Sequence, residues 1–281
     1  MKWALKIILK LMLSRLPLPY RLWRSIGLFR HGRADLLDYS IKIYNLHMMR
    51  AFPDGLPGQS VILELGPGDS ILSALLGYAS GAKQTYLVDA GEFSRKDVAF
   101  YISLAKEMSA KGLQMPDLTT ANSFEDVLKA CNAQYLTDGI FSLQTIPSDT
   151  VNFLWSHSVL EHVRKHELQF VLDEIRRVMK PGGLSSHNVD YQDHLDYSLN
   201  NLRFSEKIWE SSFFVNSGFY TNRVPALKLH DMFRNSGFKV LKEEFGKWPR
   251  LPIKRSLIHH EFCAFLDAEL LNRTSSVLLK A

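Results

Sequence analysis

Two acidic residues and two glycines near the start of the chain have the types and the spacing to bind a nucleoside. Glu64 lies near the end of a short apolar run, and Asp89 follows a second apolar run 25 positions further on. A carboxylate after such a strand can accept hydrogen bonds from both hydroxyls of a ribose. Gly66 and Gly68 permit a tight turn in which the backbone approaches a ligand closely. We therefore predict a ligand-binding loop between a buried parallel strand and a helix.

The spacing of the glycines argues against a dinucleotide. That fingerprint requires the pattern G-x-G-x-x-G, and Ile71 occupies the position of the third glycine. Asp69, beside the turn, would repel a pyrophosphate group. A ligand that has no phosphate and carries a cationic centre fits this loop better, and S-adenosylmethionine has both properties.

Residues 64–68 resemble the first motif of the class I S-adenosylmethionine-dependent methyltransferases, in particular those of methyltransferase type 11. Further segments resemble later motifs of this superfamily and follow one another in the same order, which is harder to obtain by chance than any single motif. These segments are residues 137–139 after the third strand, 146–156 with the fourth strand, 159–163 after it, 180–183 as a helix-ending turn before the fifth strand, and 225–238 as the final helix.

The resemblance implies an α/β fold, with a Rossmann-like, seven-stranded, mostly parallel sheet and helices on both of its faces. Two of the strands are expected at residues 239–245 and 261–266. The resemblance also implies S-adenosylmethionine as the cofactor. The residues to which it assigns the cofactor contacts are Glu64, Gly66, Pro67, Gly68, Asp89, Ala90, Asp138, Gly139, Ser156 and His157.

Four titratable side chains, His187, Asp190, Asp193 and His194, follow the predicted fifth strand within eight residues. In open α/β sheets, ligands bind at this end of the strands. A histidine oriented by a carboxylate can remove a proton from a substrate. The same groups could instead bind a divalent ion, or cap the turns of a polar loop. We predict the proton-transfer role and no metal, because chelation needs a geometry that this spacing does not enforce. Glu161, after the fourth strand, is interpreted as an acid at a helix N-terminus.

An insertion separates the predicted fifth strand from the final helix. Residues 195–224 are rich in aromatic side chains and also contain Asn201, Arg203 and Arg223. This composition suits a substrate lid, in which the arginines could meet an anionic substrate. Most of the aromatic residues are nevertheless expected to form the core of a small subdomain.

Positive charge is concentrated at the N-terminus. The chain of 281 residues has a formal net charge of +5, whereas residues 1–50 alone carry ten basic and two acidic side chains. The rest of the chain is therefore slightly acidic. We divide the chain into a basic helical extension, residues 1–54, and a methyltransferase domain, residues 55–281, in which residues 195–224 are an insertion.

The first residues predict a basic amphipathic helix. Lys2, Lys6 and Lys10 recur every four residues and so share one face, and the rest of the helix is apolar. This stretch is too short to span a bilayer, and no signal-peptide cleavage site follows it. Residues 1–16 either lie in a membrane interface, where they favour anionic lipids, or pack on the catalytic domain as a lid. Nucleic acid is not expected, because the sequence contains no recognised binding motif.

The predicted function is transfer of a methyl group from S-adenosylmethionine to a small-molecule, glycan or lipid-linked acceptor, most readily at oxygen. The predicted location is cytoplasmic, with peripheral membrane contact as the open alternative, and the oligomeric state stays open. A methyltransferase-like protein that binds the cofactor without turnover is the alternative function. A nucleotide-dependent oxidoreductase is disfavoured by the missing third glycine.

Overall fold

The computed structural model describes residues 3–13 and 35–281. Residues 1, 2 and 14–16 of the predicted membrane segment lie outside them. The strands are β1 (Val61–Leu65), β2 (Gln84–Val88), β3 (Ala133–Leu136), β4 (Val151–His157), β5 (Met179–Asp190), β6 (Lys239–Lys247) and β7 (Asn272–Lys280). The α-helices are α1 (Trp3–Leu13), α2 (Leu37–Ala51), α3 (Leu72–Ala79), α4 (Val98–Ala110), α5 (Phe124–Ala130), α6 (Ile140–Thr145), α7 (Leu168–Val178), α8 (Glu206–Trp209), α9 (Ser212–Val215), α10 (Ala226–Asn235) and α11 (Asp267–Leu270).

The strands form one seven-stranded sheet in the order β3-β2-β1-β4-β5-β7-β6. β1 pairs in parallel with β2 and with β4, and β2 pairs in parallel with β3. β7 runs antiparallel to β5, because Gly182 N–H donates to Ala281 O while Tyr191 N–H donates to Arg273 O. The predicted α/β fold with a mostly parallel, Rossmann-like sheet is confirmed.

The register of the parallel strands brings the predicted ligand-binding residues to one edge. Leu65 lies opposite Val88 on one side and opposite Ser156 on the other. Residues that follow these three positions therefore emerge together at the carboxyl ends of β1, β2 and β4. This is the edge at which open α/β sheets bind their ligands.

The described chain divides into two compact units. The glycine-loop unit contains residues 35–157, 173–187 and 278–281, and the insertion unit contains α1, residues 158–172 and residues 188–277. Each unit is therefore built from segments that are far apart in the sequence.

The glycine-loop unit has a core of strands that are buried along their whole length. All five residues of β1 are buried, as expected for a parallel strand covered on both faces. Ile62, Phe153 and Trp155 belong to one cluster with side chains of α2, α3 and α4. Gly77 lets α3 approach β2 closely, because a Cβ there would collide with the Thr85 hydroxyl.

The insertion unit is built around two aromatic and aliphatic clusters. Trp209, Phe219 and Tyr220 pack with Leu195, and Ile7 of α1 belongs to the same cluster. Most aromatic residues of the insertion are thus core, as the sequence indicates. The second cluster contains Leu199, Leu202, Ile253, Ile258, Phe262 and Leu270.

Helix α1 buries one face and exposes another. Ile7 and Leu11 are buried, while the Arg203 guanidinium lies 4.9 Å from the Trp3 ring centre. No helix in the described residues is long and apolar enough to cross a membrane. The exposed apolar side chains of α1 are Leu5, Ile8, Leu9 and Met12.

Two local predictions are wrong. Residues 261–266 do not form a strand: His260–Phe262 is a 3-10 turn, and the last strand is Asn272–Lys280. The buried apolar residues of β7 lie at its C-terminal end, so its polar beginning hides it in the sequence. Residues 180–183 belong to β5 rather than to a separate turn, because the end of β7 supplies backbone hydrogen bonds to Gly182 and Gly183.

Candidate functional site

The loop after β1 is held by the carboxylate at the end of β2. Gly66 and Gly68 have φ angles of 72° and 67°, in the left-handed region that glycine adopts without strain. Asp89 accepts hydrogen bonds from the N–H of Gly68 (2.9 Å) and of Ala90 (2.8 Å). Gly66 N–H donates to Val88 O at 2.8 Å. The acid of the second strand therefore fixes the glycine turn of the first, and Pro67 lies buried within it.

Both acids at this edge hold protons more tightly than usual. Burial raises the pKa of Glu64 to about 7, and the charge of Asp89 adds to the effect while hydrogen bonds from Ser73 and Trp155 oppose it. Burial also raises the pKa of Asp89 to about 6. Glu64 Oε2 is buried without a hydrogen-bond partner. A cationic ligand satisfies such a site, because it supplies both a donor and a compensating charge.

The turn after β3 meets the same edge. Gly139 N–H donates to Asp89 O at 2.9 Å, and Gly139 has a φ of 58°. A Cβ on Gly139 would lie 3.7 Å from the Cα of Ala90. Asp138 is exposed, and its N–H donates to the Ser142 hydroxyl at 2.9 Å. Residues 89–90 and 138–139 therefore lie against one another.

His187 lies in the interior of the glycine-loop unit. Its ring is fully buried, with Nδ1 2.7 Å from the Ser156 hydroxyl and Nε2 2.7 Å from the Ser185 hydroxyl. Both ring nitrogens are therefore engaged by serines. This geometry does not favour His187 as the group that takes a proton from a substrate.

His157 and His47 form a histidine pair in this unit. His47 Nε2 lies 3.2 Å from His157 Nδ1, and His47 Nδ1 lies 2.8 Å from the Ser186 hydroxyl. Burial lowers the pKa of His157 to about 4, and the charge of Arg50 lowers it further. Both rings are neutral at physiological pH, since the pKa of His47 also lies far below its ordinary value through burial.

In the insertion unit, Asp193 and His194 have different partners from those predicted. The buried Asp193 carboxylate accepts the N–H groups of Leu195, Asp196 and Asn200, and so caps the loop. His194 Nε2 lies 3.1 Å from His162 Nε2. His194 therefore pairs with a histidine rather than with a carboxylate.

A pocket of the insertion unit contains the fourth predicted catalytic residue, Asp190. Its empty space is about 460 Å³ when the open solvent at its mouth is included. Its walls come from the 3-10 turn after β4, the end of β5, the insertion and the segment before β7. Its apolar lining includes Leu199, Leu202, Val224, Phe265 and Leu270.

Two carboxyl groups of this pocket are coupled. Asp190 N–H donates to Glu161 Oε1 at 3.2 Å, and Asp190 Oδ1 accepts from Gln192. Burial raises the pKa of Glu161 to about 8, and the charge of Asp190 raises it further. Burial also raises the pKa of Asp190. At neutral pH Glu161 is thus mostly protonated, and Asp190 is the member of the pair that ionises first. The sequence places Glu161 at a helix N-terminus, whereas in the structure it is the middle residue of a single 3-10 turn, Leu160–His162.

Several buried polar atoms of the pocket have no partner. Arg223 is fixed by Glu206 Oε2 (2.8 Å) and by the carbonyl of Phe204 (2.8 Å), so its charge is balanced inside the unit and its expected contact with an anionic substrate is not supported. Its Nε has no hydrogen-bond acceptor. The pocket atoms in this condition are Glu161 Oε2, Asn201 Oδ1, Arg223 Nε and Asn272 Oδ1. Asn272 carries no signal in the sequence, because it lies 49 positions after Arg223 at the start of a polar strand.

Comparison with known proteins supports the nucleoside-binding interpretation. Residues 63–186 match the family model of the methyltransferase domain. No curated protein sequence matches the chain. The match to the family model covers the glycine loop and the strands from β1 to β5, and it supports a methyltransferase domain with S-adenosylmethionine as the cofactor.

Solved structures of methyltransferases are similar to the chain. An S-adenosylmethionine-dependent methyltransferase from Archaeoglobus fulgidus is 15% identical, with a TM-score of 0.48, over 89% of this chain and 95% of that one. Another from Mesorhizobium loti is 13% identical, with a TM-score of 0.44, over 80% of this chain and 94% of that one. Phosphoethanolamine N-methyltransferase 2 from Haemonchus contortus, in complex with S-adenosyl-L-methionine, is 14% identical, with a TM-score of 0.45, over 85% of this chain and 52% of that one.

Proposed function

We propose that this enzyme methylates a hydroxyl oxygen of a small-molecule, glycan or lipid-linked acceptor. The observation that carries this proposal is the pair of neighbouring carboxyl groups, Glu161 and Asp190, in the pocket of the insertion unit. A hydroxyl acceptor needs a group that takes its proton, whereas an amine needs only to arrive deprotonated.

The residues that would hold the cofactor lie at the carboxyl ends of the strands from β1 to β4, which we call the loop edge. The sulfonium of the cofactor supplies an electrophilic methyl group and a positive charge. Glu64, whose Oε2 lacks a partner, would receive the ammonium group, and Asp89 would receive the ribose hydroxyls. The glycine turn at Gly66 and Gly68 leaves room for the ligand beside the backbone. Asp138, Gly139, Ser156 and His157 complete the proposed contacts.

For the acceptor, we assign proton removal to Asp190. The Asp190 carboxylate lines the pocket, and its raised pKa makes it a stronger base than an ordinary aspartate. Glu161, protonated at neutral pH, adds no second negative charge and can donate a hydrogen bond to the acceptor. Asp193 then acts through the loop that it caps. His187 and His194 stay alternatives for the base, although neither lines the pocket.

Calorimetry on the full chain with S-adenosylhomocysteine tests the cofactor site. We expect binding, and we expect Gly66→Arg to abolish it, because arginine strains the left-handed turn and fills the loop. A mass spectrum of the ligand bound to the purified protein distinguishes a methyltransferase from a nucleotide-dependent oxidoreductase. Recovery of a nicotinamide nucleotide would contradict the proposal.

A labelled-methyl assay tests turnover and the acceptor. The enzyme is incubated with a cell extract and S-adenosylmethionine that carries a labelled methyl group, and lipid and aqueous fractions are counted separately. Label released by mild base as methanol would indicate an ester rather than an ether. Cofactor binding without transfer into either fraction would favour the alternative of a binding protein without turnover.

We also propose that α1 contacts an anionic membrane surface. It presents Leu5, Ile8, Leu9 and Met12 to solvent, and Lys10 is close to this apolar surface in the sequence. Basic amphipathic helices of this kind bind the interface between lipid headgroups and acyl chains. Packing of the opposite face on the insertion unit fixes the helix, so the lid and the membrane interpretations are compatible.

A further inference from the structure

We propose that the insertion-unit pocket binds a neutral, polyhydroxylated ring, such as a sugar residue or a cyclitol. This inference rests on the proposed function, because it names the class of acceptor that the pocket selects. The argument depends on the polar atoms that the pocket leaves without partners.

These atoms are buried and fixed in position. The relative exposures of Asn201, Asn272 and Glu161 are 1%, 6% and 3%. A buried polar atom without a hydrogen bond costs free energy, so it is usually satisfied by a partner or by a ligand. Arg223 is held rigidly, since its side chain also stacks on Phe262 at 4.8 Å and on Trp209 at 5.4 Å.

The unpaired atoms of the pocket include both hydrogen-bond acceptors and hydrogen-bond donors. Asn201 Oδ1 and Asn272 Oδ1 need donors, whereas Arg223 Nε and the protonated Glu161 carboxyl need acceptors. A hydroxyl group can donate and accept at once. It would also satisfy either orientation of the Asn201 amide, whose Nδ2 now donates to Thr221 Oγ1. Several hydroxyls on one ring can therefore complete the whole set.

Charged ligands satisfy only part of the set. A phosphate or carboxylate offers acceptors alone, and Asp190 and Glu269 in the lining would repel it. A primary ammonium group offers donors alone and a quaternary ammonium group offers neither donors nor acceptors, so either would leave Arg223 Nε unsatisfied. The charge of Arg223 gives no reason to expect an anion, because Glu206 lies 2.8 Å and Glu210 lies 3.7 Å from its guanidinium.

The rest of the lining suits the faces of a ring. Leu202, Leu270 and Phe265 provide apolar surface against which the C–H groups of a sugar can pack. Sites for small molecules usually combine such walls with a few fixed polar groups. The backbone of Arg223 also has a φ of 59°, a conformation that non-glycine residues adopt chiefly where the surrounding structure imposes it.

Binding of defined probes to the full chain tests this inference. The probes are methyl α-D-glucopyranoside, methyl α-D-mannopyranoside and myo-inositol as neutral polyols, glucose 6-phosphate as an anion and glucosamine as a cation. Saturation-transfer NMR and calorimetry measure them with and without S-adenosylhomocysteine. We expect at least one neutral polyol to bind more tightly than both charged probes. Failure of every neutral polyol, or preference for a charged probe, would overturn the inference.

The variant Asn272→Leu makes the test specific to the pocket. It removes one unpaired acceptor, so we expect about tenfold weaker binding of the polyol. The melting temperature should stay the same or rise, because the unsatisfied buried group is gone. Asn272→Ala serves the same purpose with a smaller side chain. The matched control is Asn216→Leu, an exposed asparagine of the same unit outside the pocket, which should leave binding unchanged.

The two proposals can fail separately. S-adenosylhomocysteine binding by the same samples reports on the cofactor site alone. If the cofactor binds but polyol binding is unaffected by both Asn272 variants, the pocket assignment is wrong and the methyltransferase assignment stands. If a polyol binds through Asn272 but the cofactor does not bind, the pocket assignment stands and the methyltransferase assignment is wrong.

Discussion

The two candidate sites of this chain differ in how the sequence builds them. At the loop edge of the glycine-loop unit, Asp89 holds Gly68 across only 21 positions, and a short motif contains most of the site. The pocket of the insertion unit draws on Glu161, Asp190, Asn201 and Asn272, which are spread over more than a hundred positions. Cofactor recognition is thus local in the sequence, whereas the proposed acceptor recognition depends on tertiary structure.

The sites also differ in how their polar groups are satisfied. The Asp89 carboxylate already receives two backbone N–H groups, so the loop has its shape before a ligand arrives. The pocket instead retains unpaired atoms on side chains that are held firmly. Preorganisation of the loop favours tight binding of one fixed ligand. A ligand that leaves the polar atoms of the pocket without hydrogen bonds should bind more weakly than one that forms those bonds.

The largest expected effect is on catalysis in the pocket. Asp190→Asn should lower kcat by about 10²- to 10⁴-fold, because it removes the proton acceptor. S-adenosylhomocysteine affinity should change little, since this residue does not belong to the loop edge. Steady-state kinetics with the acceptor found in the labelling assay measure the effect, with the exposed Asp231→Asn as control. A larger loss in His194→Asn or His187→Asn would assign proton removal to that histidine.

The second prediction concerns the pH dependence of stability. The pKa of Glu161 is raised to about 8 in the folded chain, above its value in the unfolded chain. Its contribution to stability is therefore fully present below about pH 4.5 and is lost as pH rises to about 8, by on the order of a few kcal/mol.

Urea unfolding of the wild type and of Glu161→Gln between pH 5 and pH 8 measures this contribution. As pH rises, the free energy of unfolding of the wild type should fall relative to that of Glu161→Gln. A difference that is independent of pH would show that Glu161 is not held protonated.

The third prediction breaks the loop edge. Asp89→Ala should weaken S-adenosylhomocysteine binding by about 100-fold, because the ribose loses its acceptor and the Gly68 turn loses its anchor. Calorimetry measures the change. The exposed Asp117→Ala is a suitable control, since this acid accepts hydrogen bonds from the exposed Thr119 and lies outside the glycine loop. Equal affinities for wild type and Asp89→Ala would place the nucleoside elsewhere.

The smallest effect is expected for α1. Met12→Ser should lower binding to vesicles of phosphatidylserine and phosphatidylcholine by about tenfold, because one exposed apolar side chain no longer enters the interface. Ala4→Ser is the control with little apolar area. Binding should weaken with salt and in phosphatidylcholine alone. If vesicle binding is the same for wild type and Met12→Ser and does not depend on phosphatidylserine, the membrane proposal is wrong and α1 is only a packed lid.

The sequence predicts the glycine-loop unit well because its signals are short-range. The apolar run of β1, the turn at Gly66 and the acid after β2 each report on their immediate surroundings. The pocket is a different case. Glu161 looks like a capping acid, and Asn272 begins a polar stretch in which β7 is not recognisable. The local sequence around these two residues therefore does not indicate which residues they contact in the fold. The cluster His187–His194 is close in sequence, yet β5 ends within it, and its histidines point to different partners.

The interleaving of the two units has a consequence for protein engineering. Within the described residues 35–281, the chain passes from one unit to the other at positions 157/158, 172/173, 187/188 and 277/278, so neither unit can be cut out as a single fragment. Exchange of acceptor specificity between relatives requires transplanting residues 188–277 together with the short stretch 158–172 that carries Glu161. A chimera that moved the long segment alone would combine the Asp190 of one parent with the Glu161 counterpart of the other.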